Sequence, residues 1–545
     1  MVRGRTIAIT SVAVVLVAGA GAGGAYYLLR TRGTPQETAQ AFVQAWSRGD
    51  TAAMRSWLAD PSVPYAAAYE RLAKDLGVTA TEVRLTGVSE PRDDRADAGY
   101  TATLTLRDGG RWSYRGSLPL VVKDRHWRVD WSPRAVHPAL DGTNRLRLRT
   151  VWPTRAAITD ASGRRIDQSD ADGSIQQIVG YVDKADAKEA KRLGPPYRAG
   201  DPVGKAGLQA TFQERLAGRP SLEIQVVGGD GKAARTLDTI KGKPGQPLRT
   251  SLDLTVQQAA VRAVEGLGKP ASLVAIRPST GEILAVVNNR GGFNRALDGA
   301  YPPGSTFKTI TAAALLHEGI DPSEPVTCPK YVTVGGLKIR NSNHEAFGRV
   351  SFLESFAHSC NTTFAPLAAE RLSARKLREA AEWFGFNQTL KIGVPAAKAS
   401  MPEAASDAEL AAESFGQAKI TASPLVMASV AAAVADGTWR PPTLVPGREQ
   451  IASPRRLPDG VAERLRTMMA AVVTKGTAKK AGLPKGTAGK TGTAEYGTGP
   501  ELDSHAWFIG FRGDVAFAVV VEGGGGGGKV AAPVAARFLR ALDTP

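Results

Sequence analysis

The sequence predicts a multidomain α+β protein tethered to a membrane near its N-terminus, and three observations lead there. Residues 6–29 form an uncharged run bracketed by Arg3 and Arg5 on one side and Arg30 and Arg32 on the other. Residues 36–131 pass from helical to alternating apolar spacing. In the second half, three short strings follow one another: Ser305-Thr306-Phe307-Lys308, Ser359-Cys360-Asn361 and Lys490-Thr491-Gly492-Thr493, with their first residues 54 and 131 positions apart. A chain of 545 residues leaves room for about three domains beyond a membrane segment, each with an ample core.

The first element is the apolar run. Its 24 residues are enough to cross a bilayer as a helix. A cleavable signal peptide is the rival reading, because Ala18-Gly19-Ala20 and Ala20-Gly21-Ala22 have the small-residue pattern of a cleavage site. Tyr26, Tyr27, Leu28 and Leu29 carry the run past those sites, and tyrosines suit a membrane interface. Residues 1–33 are therefore expected to be a cytoplasmic tip and an uncleaved single-pass anchor. The flanking charges nearly balance, so positive-inside counting adds little. Both cysteines lie far from the N-terminus, which excludes a lipid-modified cysteine there.

Residues 34–140 open with Ala39, Phe42, Val43, Ala45 and Trp46 at helical spacing, followed by a second helical stretch over 65–76. Alternating segments then occupy 80–88, 98–106, 112–122 and 127–131. Helices followed by a curled antiparallel sheet predict a cone-shaped α+β domain. No convergent set of acids and histidines appears in it, so it reads as a spacer or interaction module. In residues 141–248, glycine and proline around 194–204 and 242–247 mark exposed turns.

Residues 249–545 carry the three strings. A serine hydroxyl is a poor nucleophile at neutral pH and needs a base within hydrogen-bond reach. If Ser305 opens a helix, Lys308 sits one turn later on the same face. Tyr301-Pro302-Pro303-Gly304 reads as a turn delivering Ser305, and the apolar run 310–316 continues the helix into a core. Backbone N–H groups at such a start can stabilise a developing oxyanion. Lys308 must be neutral part of the time to act as a base, which burial or the neighbouring charge of Lys490 would promote. Singly, each string also reads as an ordinary cap, loop or turn; together and in order they point to serine acyl transfer.

The three strings resemble those of the penicillin-binding protein transpeptidases. Further matches are Thr250-Ser251-Leu252-Asp253 with Gln257, Ala275-Ile276-Arg277-Pro278, Thr280-Gly281-Glu282-Ile283-Leu284-Ala285 and Ala506-Trp507-Phe508-Ile509-Gly510. The departures are Ala418 after Gln417, where the family usually has glycine, and an extra proline in Tyr301-Pro302-Pro303. The resemblance implies an α/β domain with a central antiparallel sheet, in which Ser305 attacks the penultimate D-Ala carbonyl of a peptidoglycan stem peptide. It implies Lys308 as proton acceptor, Ser359 as relay to the leaving amine and Lys490 as the electrostatic anchor of that relay. Asn361 would bond the substrate amide. Thr491, Gly492 and Thr493 would hold the substrate carboxylate, and the N–H groups of Ser305 and Thr493 would form the oxyanion hole. β-Lactams would acylate Ser305.

Residues 34–140, with Trp127-Arg128-Val129-Asp130-Trp131 and His137-Pro138, more loosely resemble the nuclear-transport-factor-2-like domain of methicillin-resistance-type penicillin-binding proteins. Residues 155–160 with Ser162-Gly163, Gly207-Leu208-Gln209 and Glu214-Arg215-Leu216-Ala217-Gly218 resemble the family's pedestal or dimerisation region, with Ala157 where the family has glycine. A strand-rich pedestal is therefore expected over 141–248. The whole matches the class B arrangement. It implies an extracytoplasmic catalytic domain at the cell membrane, and a separate partner for glycan polymerisation, namely a SEDS-type polymerase working with division or elongation proteins.

Competing functions fall to particular features. A β-lactamase needs a glutamate to activate deacylating water, and no E-x-x-L-N string stands between Asn361 and Lys490. A D,D-carboxypeptidase differs only in admitting water as acceptor and is usually built without such an N-terminal portion. A β-lactam sensor needs a cytoplasmic output domain, and only a handful of residues precede Thr6; intact Lys308 and Ser359 argue against a non-catalytic scaffold. The net charge of +17 suggests nucleic acid at first, but no binding signature for it appears, and anionic lipid and wall polymers fit an outer-surface chain better. No cofactor is expected, and six scattered histidines give no metal-ligand spacing, so His505 reads as structural. Cys328 and Cys360 are expected to form a disulfide that pins the Ser359 loop, the alternative being two buried thiols. The six glycines 523–528 read as a mobile loop at a domain edge and not as a phosphate cradle, since no G-K-[ST] helix follows.

Overall fold

Helix α1 (Pro35–Arg48) begins where Thr34 accepts a hydrogen bond from the Glu37 N–H while the Glu37 carboxylate accepts one from the Thr34 N–H. It stops at Gly49, whose φ of 68° ends the helix in the left-handed region. Its apolar face buries Phe42, Val43 and Trp46. The computed structural model describes residues 31–107, 109–497 and 502–544. The expected membrane segment falls outside them, and among the described residues no helix is long and apolar enough to cross a membrane.

The described residues form two compact units. The first comprises the chain up to Arg155 together with Ala185–Asp201 and Ala217–Gly245. After α1 come α2 (Thr51–Arg55) and α3 (Tyr65–Leu76), then the antiparallel meander β1 (Val78–Val88), β2 (Arg95–Leu106), β3 (Arg111–Lys123) and β4 (His126–Val129). Residues of β2 alternate between buried and half-exposed, as a sheet with one covered face requires. Tyr100, Ala102 and Leu104 face Gly116, Tyr114 and Trp112 across the β2–β3 register. Rings fill the covered face: Trp46 lies 4.8 Å from Tyr69 and 5.2 Å from Tyr100, both edge-on. A second sheet in this unit joins β5 (Arg145–Val151), β6 (Ser221–Val227) and β7 (Ala233–Ile240) around the central β6, and Leu146, Leu222, Ile224 and Val226 extend the same core.

The second unit comprises Ala156–Lys184, Pro202–Leu216 and the chain from Gln246, so residues 141–248 are shared between the two units. Its centre is a five-stranded antiparallel sheet of β8 (Ala271–Ile276), β9 (Ile283–Asn288), β10 (Ala488–Tyr496), β11 (Asp503–Arg512) and β12 (Val515–Val521), in the order β9-β8-β12-β11-β10. Every residue of β8 and β9 is buried, because helices cover both faces of the sheet. Helix α4 (Leu254–Val264) packs on α10 (Ala531–Asp543) and on the sheet. Helix α8 (Pro424–Asp436), apolar around nearly its whole circumference, lies against the central strands. Four further helices carry or support the reactive residues: α5 (Lys308–His317), α6 (Phe352–Ala357), α7 (Asn361–Arg371) and α9 (Val461–Thr474).

In the first unit, the buried Tyr100 hydroxyl donates to the carbonyls of Ala135 and Val136 at 2.9 and 3.1 Å, and Tyr114 donates to Val136 at 2.7 Å. These bonds hold the segment after β4 against the sheet. Tyr100→Phe leaves a buried carbonyl short of a partner at a cost of about 1–2 kcal/mol. Hydrogen exchange at the β2 amides should report that loss of protection; unchanged protection would show that the hydroxyl is not a tie.

Candidate active site

Ser305 sits in a 3₁₀ turn, Gly304–Phe307, which runs directly into α5 at Lys308. The helix therefore opens with the lysine and not with the serine, and the three-residue turn brings Lys308 Nζ to 3.0 Å from Ser305 Oγ. Ser359 lies in the short link between α6 and α7 with a φ of 61°. That left-handed residue reverses the chain, and its hydroxyl comes to lie between two lysines: Lys490 Nζ at 2.7 Å and Lys308 Nζ at 3.3 Å. Asn361 opens α7, and its Oδ1 accepts from Lys308 Nζ at 2.6 Å. Its Nδ2 donates to the Arg340 carbonyl at 2.9 Å, which fixes the amide orientation. The structure thus brings Ser305, Lys308, Ser359, Asn361 and Lys490 into one hydrogen-bonded cluster.

The arrangement around Lys308 defines which of its forms fits. Its nitrogen has four oxygen neighbours, of which the Ser359 carbonyl at 2.8 Å and Asn361 Oδ1 can only accept. The other two are hydroxyls, which can donate. A neutral amine has two N–H groups for the acceptors and one lone pair for a hydroxyl proton, so the site satisfies uncharged Lys308 while turning its lone pair to Ser305. Lys308 is fully buried, and burial first, then the charge of Lys490, holds its pKa well below that of an ordinary lysine. Lys490 is equally buried, and desolvation brings it down to about 7. The apolar walls are partly aromatic, with Phe364 and Phe415 about 6 Å from Lys308 Nζ and Phe356 5.5 Å from Lys490 Nζ.

Strand β10 supplies Lys490, Thr491, Gly492 and Thr493 at the edge of the sheet. Gly492 is required by close approach: a Cβ there would come within 2.8 Å of Thr306 Cγ2 and 3.0 Å of Trp507 Cβ. A larger residue would push the strand off the serine turn. Thr491 Oγ1 shares a 2.6 Å hydrogen bond with Thr477, a partner that no spacing rule in the sequence indicates. Ser305, Asn361 and Thr493 open into a cleft of about 320 Å³, whose walls include Arg340, Phe415, Gln417 and Glu495. Arg340 and Glu495 also escaped the sequence analysis. The available signal was Glu495 standing two residues beyond Thr493 on the same side of a strand.

Two loops back this cluster. Cys328 and Cys360 are joined by a disulfide, tying the residue after Ser359 to the end of the Pro325–Cys328 strand. Closing a loop of separation 32 removes unfolded-chain freedom amounting to about 3–4 kcal/mol in the entropy model. The glycine run forms a loop against the edge strand β10. A Cβ on Gly527 would overlap the carbonyls of Gly492 and Trp507, and the Gly527 N–H donates to Thr493 Oγ1 at 3.4 Å. Gly527 and Gly528 thus meet backbone and have no room for a side chain, whereas Gly525 and Gly526 have open space around them. His505 stacks on Tyr496 at 4.0 Å and accepts from the Gly523 N–H, which keeps it away from the serine cluster. Among the described residues no group of His, Cys, Asp and Glu could hold a metal.

Three family models match the chain: a penicillin binding protein transpeptidase domain over residues 271–540, an NTF2-like N-terminal transpeptidase domain over 34–144, and a penicillin-binding protein dimerisation domain over 153–250. Peptidoglycan D,D-transpeptidase PbpA of Mycolicibacterium smegmatis is 33% identical over 446 residues, covering 69% of this chain and 87% of that protein. Peptidoglycan D,D-transpeptidase MrdA of Acinetobacter baumannii is 28% identical over 416 residues, or 63% of this chain; the chain spans 61% of that relative's length. A crystal structure of Pseudomonas aeruginosa PBP2 in complex with WCK 5153 superposes with a TM-score of 0.61 at 28% identity, over 73% of this chain and 97% of that one.

The disulfide sets a direct expectation. Protein unfolded without reductant should take up no thiol-alkylating reagent, and reduced protein should take up two equivalents, measured by mass. Two modified cysteines in the unreduced sample would rule the bond out.

Proposed function

The chain belongs to the class B penicillin-binding protein family, and from that premise we propose that it is a serine-type peptidoglycan D,D-transpeptidase. The single observation carrying this reading is the placement of Lys308 Nζ at 3.0 Å from Ser305 Oγ, with Ser359 Oγ between Lys308 and Lys490. In the first half-reaction, Ser305 Oγ bonds to the penultimate D-Ala carbonyl carbon of a stem peptide as its proton passes to Lys308. The oxyanion is held by the N–H groups of Ser305 and Thr493. Collapse breaks the C–N bond, and the terminal D-Ala leaves as an amine protonated through Ser359, whose hydroxyl hydrogen-bonds Lys490. In the second half-reaction, an amine from another stem attacks the ester, gives up its proton by the same route and frees Ser305. Thr491, Thr493 and Lys490 hold the donor carboxylate, Gly492 lets their strand approach, and Asn361 bonds the donor amide. A β-lactam enters the first half-reaction and stays as an ester on Ser305.

The finer assignments belong to the same reading. Residues 1–33 form a cytoplasmic tip and single-pass anchor, 34–140 a spacer or interaction domain, 141–248 a pedestal and 249–545 the catalytic domain outside the membrane. Glycan strands come from a partner polymerase of the SEDS type acting with division or elongation proteins.

Labelling with a fluorescent penicillin tests the mechanism: the wild-type protein should take up one equivalent and Ser305→Ala none. Equal labelling of both would sink it. The pH dependence of acylation follows from the two lysines. The rate should rise on the acid side as Lys308 loses its proton and fall above about 7 as Lys490 loses its own. Lys490→Met removes a neighbouring positive charge, which raises the Lys308 pKa and moves the acid limb to higher pH. A single rise centred near the ordinary lysine value of 10.5 would contradict a neutral-lysine base.

A further inference from the structure

Arg340 and Glu495 meet across the mouth of the cleft, Arg340 Nη2 lying 3.3 Å from Glu495 Oε1. Each is held by a catalytic segment and not by the other. Arg340 ends the second strand of a hairpin formed by Tyr331–Val334 and Leu337–Arg340, and its carbonyl accepts the Asn361 amide. Glu495 stands on β10 two positions after Thr493, on the same side of the strand, about 7 Å farther along. Both side chains are close to half exposed, so their mutual contact adds little to stability. Both charges are instead positioned beside the path of a bound peptide.

That path can be followed from the proposed chemistry, on which this inference rests. With the donor carboxylate at Thr491 and Thr493 and the reacting carbonyl at Ser305, an extended donor peptide continues along β10 toward Glu495. The residue before D-Ala-D-Ala is the branching diamino acid, and its side chain therefore reaches the Arg340–Glu495 pair. We propose that this pair recognises a donor branching residue whose side chain ends in an α-amino acid head, with an ammonium and a carboxylate on one carbon. Arg340 offers a planar fork that matches a carboxylate, and Glu495 offers an acceptor for the ammonium. Such a head replaces the direct contact between the two residues and leaves no charge unpaired. A side chain ending in an amine alone gives Glu495 a partner and Arg340 none. The pair suits the donor and not the acceptor, because an attacking amine must be neutral and a carboxylate that holds it as ammonium opposes attack.

The test compares two pentapeptide donors ending in D-Ala-D-Ala, one whose third side chain ends in the α-amino acid head and one with lysine, with D-Ala release as readout. The wild type should favour the first by about tenfold in kcat/KM, carried mainly by KM. Arg340→Gln and Glu495→Gln should each bring the ratio within about twofold, and Arg340→Lys should keep about threefold. The ratio is taken within each variant, so a general loss of activity cancels. A penicillin-labelled wild type with no preference, or a preference that survives in Arg340→Gln, overturns the recognition alone. Absence of penicillin label from the wild type overturns the acyl-enzyme reading and this inference with it.

Discussion

Removing two lysine amines from water beside one serine is the constraint on which the catalytic unit is built. Burying an ammonium is costly unless it is paired or loses its proton, and among the described residues no carboxylate is hydrogen-bonded to Lys308 or Lys490. The site therefore favours deprotonation, and the charge of each lysine disfavours that of the other. Holding them there takes rigid surroundings. Lys308 begins a helix whose residues are nearly all buried, and Lys490 lies on a strand paired to β11 and backed by closely packed glycine. Ser359, whose hydroxyl reaches both amines, adopts a left-handed backbone. The nucleophile, neutral base and proton relay of the proposed mechanism all draw on this one desolvated arrangement.

The sheet explains how such strain is supported. β8, β12 and residues 506–511 of β11 are buried on both faces apart from Val515 at the start of β12, and α8, α4 and α10 cover the sheet, so β10 at the edge is anchored through a rigid stack. The first unit uses different means. Its core mixes aliphatic side chains with a cluster of aromatic rings, and tyrosine hydroxyls tie a loop to the sheet. His137 is buried there, and its pKa is pushed down to about 4 by burial and by Arg235; it packs against Trp112 and Tyr114. These rings fill the covered face of the sheet, while a cavity of about 460 Å³ opens between α3 and the segment after β4, lined by Val63, Leu72, Trp131 and Leu140.

Much of this was legible because the chemistry is local in sequence. The interval from Ser305 to Lys308 is set by helical geometry, and the helical and alternating spacing of residues 36–131 translates into α1 and the four-strand meander. Contacts that depend on how distant segments fold together left no trace. Thr477 reaches Thr491 across a turn, and Arg340 meets Glu495 over 155 positions. The glycine run was only partly legible for a physical reason. Six glycines suggest high chain entropy, and nothing in the sequence marks Gly527 as the one that packing against the carbonyls of Gly492 and Trp507 requires. The stretch 141–248 was hard to read because its strands divide between two cores, so no single periodicity governs it.

The link between Cys328 and Cys360 makes the chemical environment part of the catalytic geometry. A disulfide persists only under oxidising conditions, and this one constrains the residue next to Ser359. A chain made in a reducing cytosol, or stored with thiol reductant, keeps all three sequence strings but lacks the covalent brace beside Ser359. Preparations that differ only in their redox history therefore differ in how the chain beside Ser359 is braced.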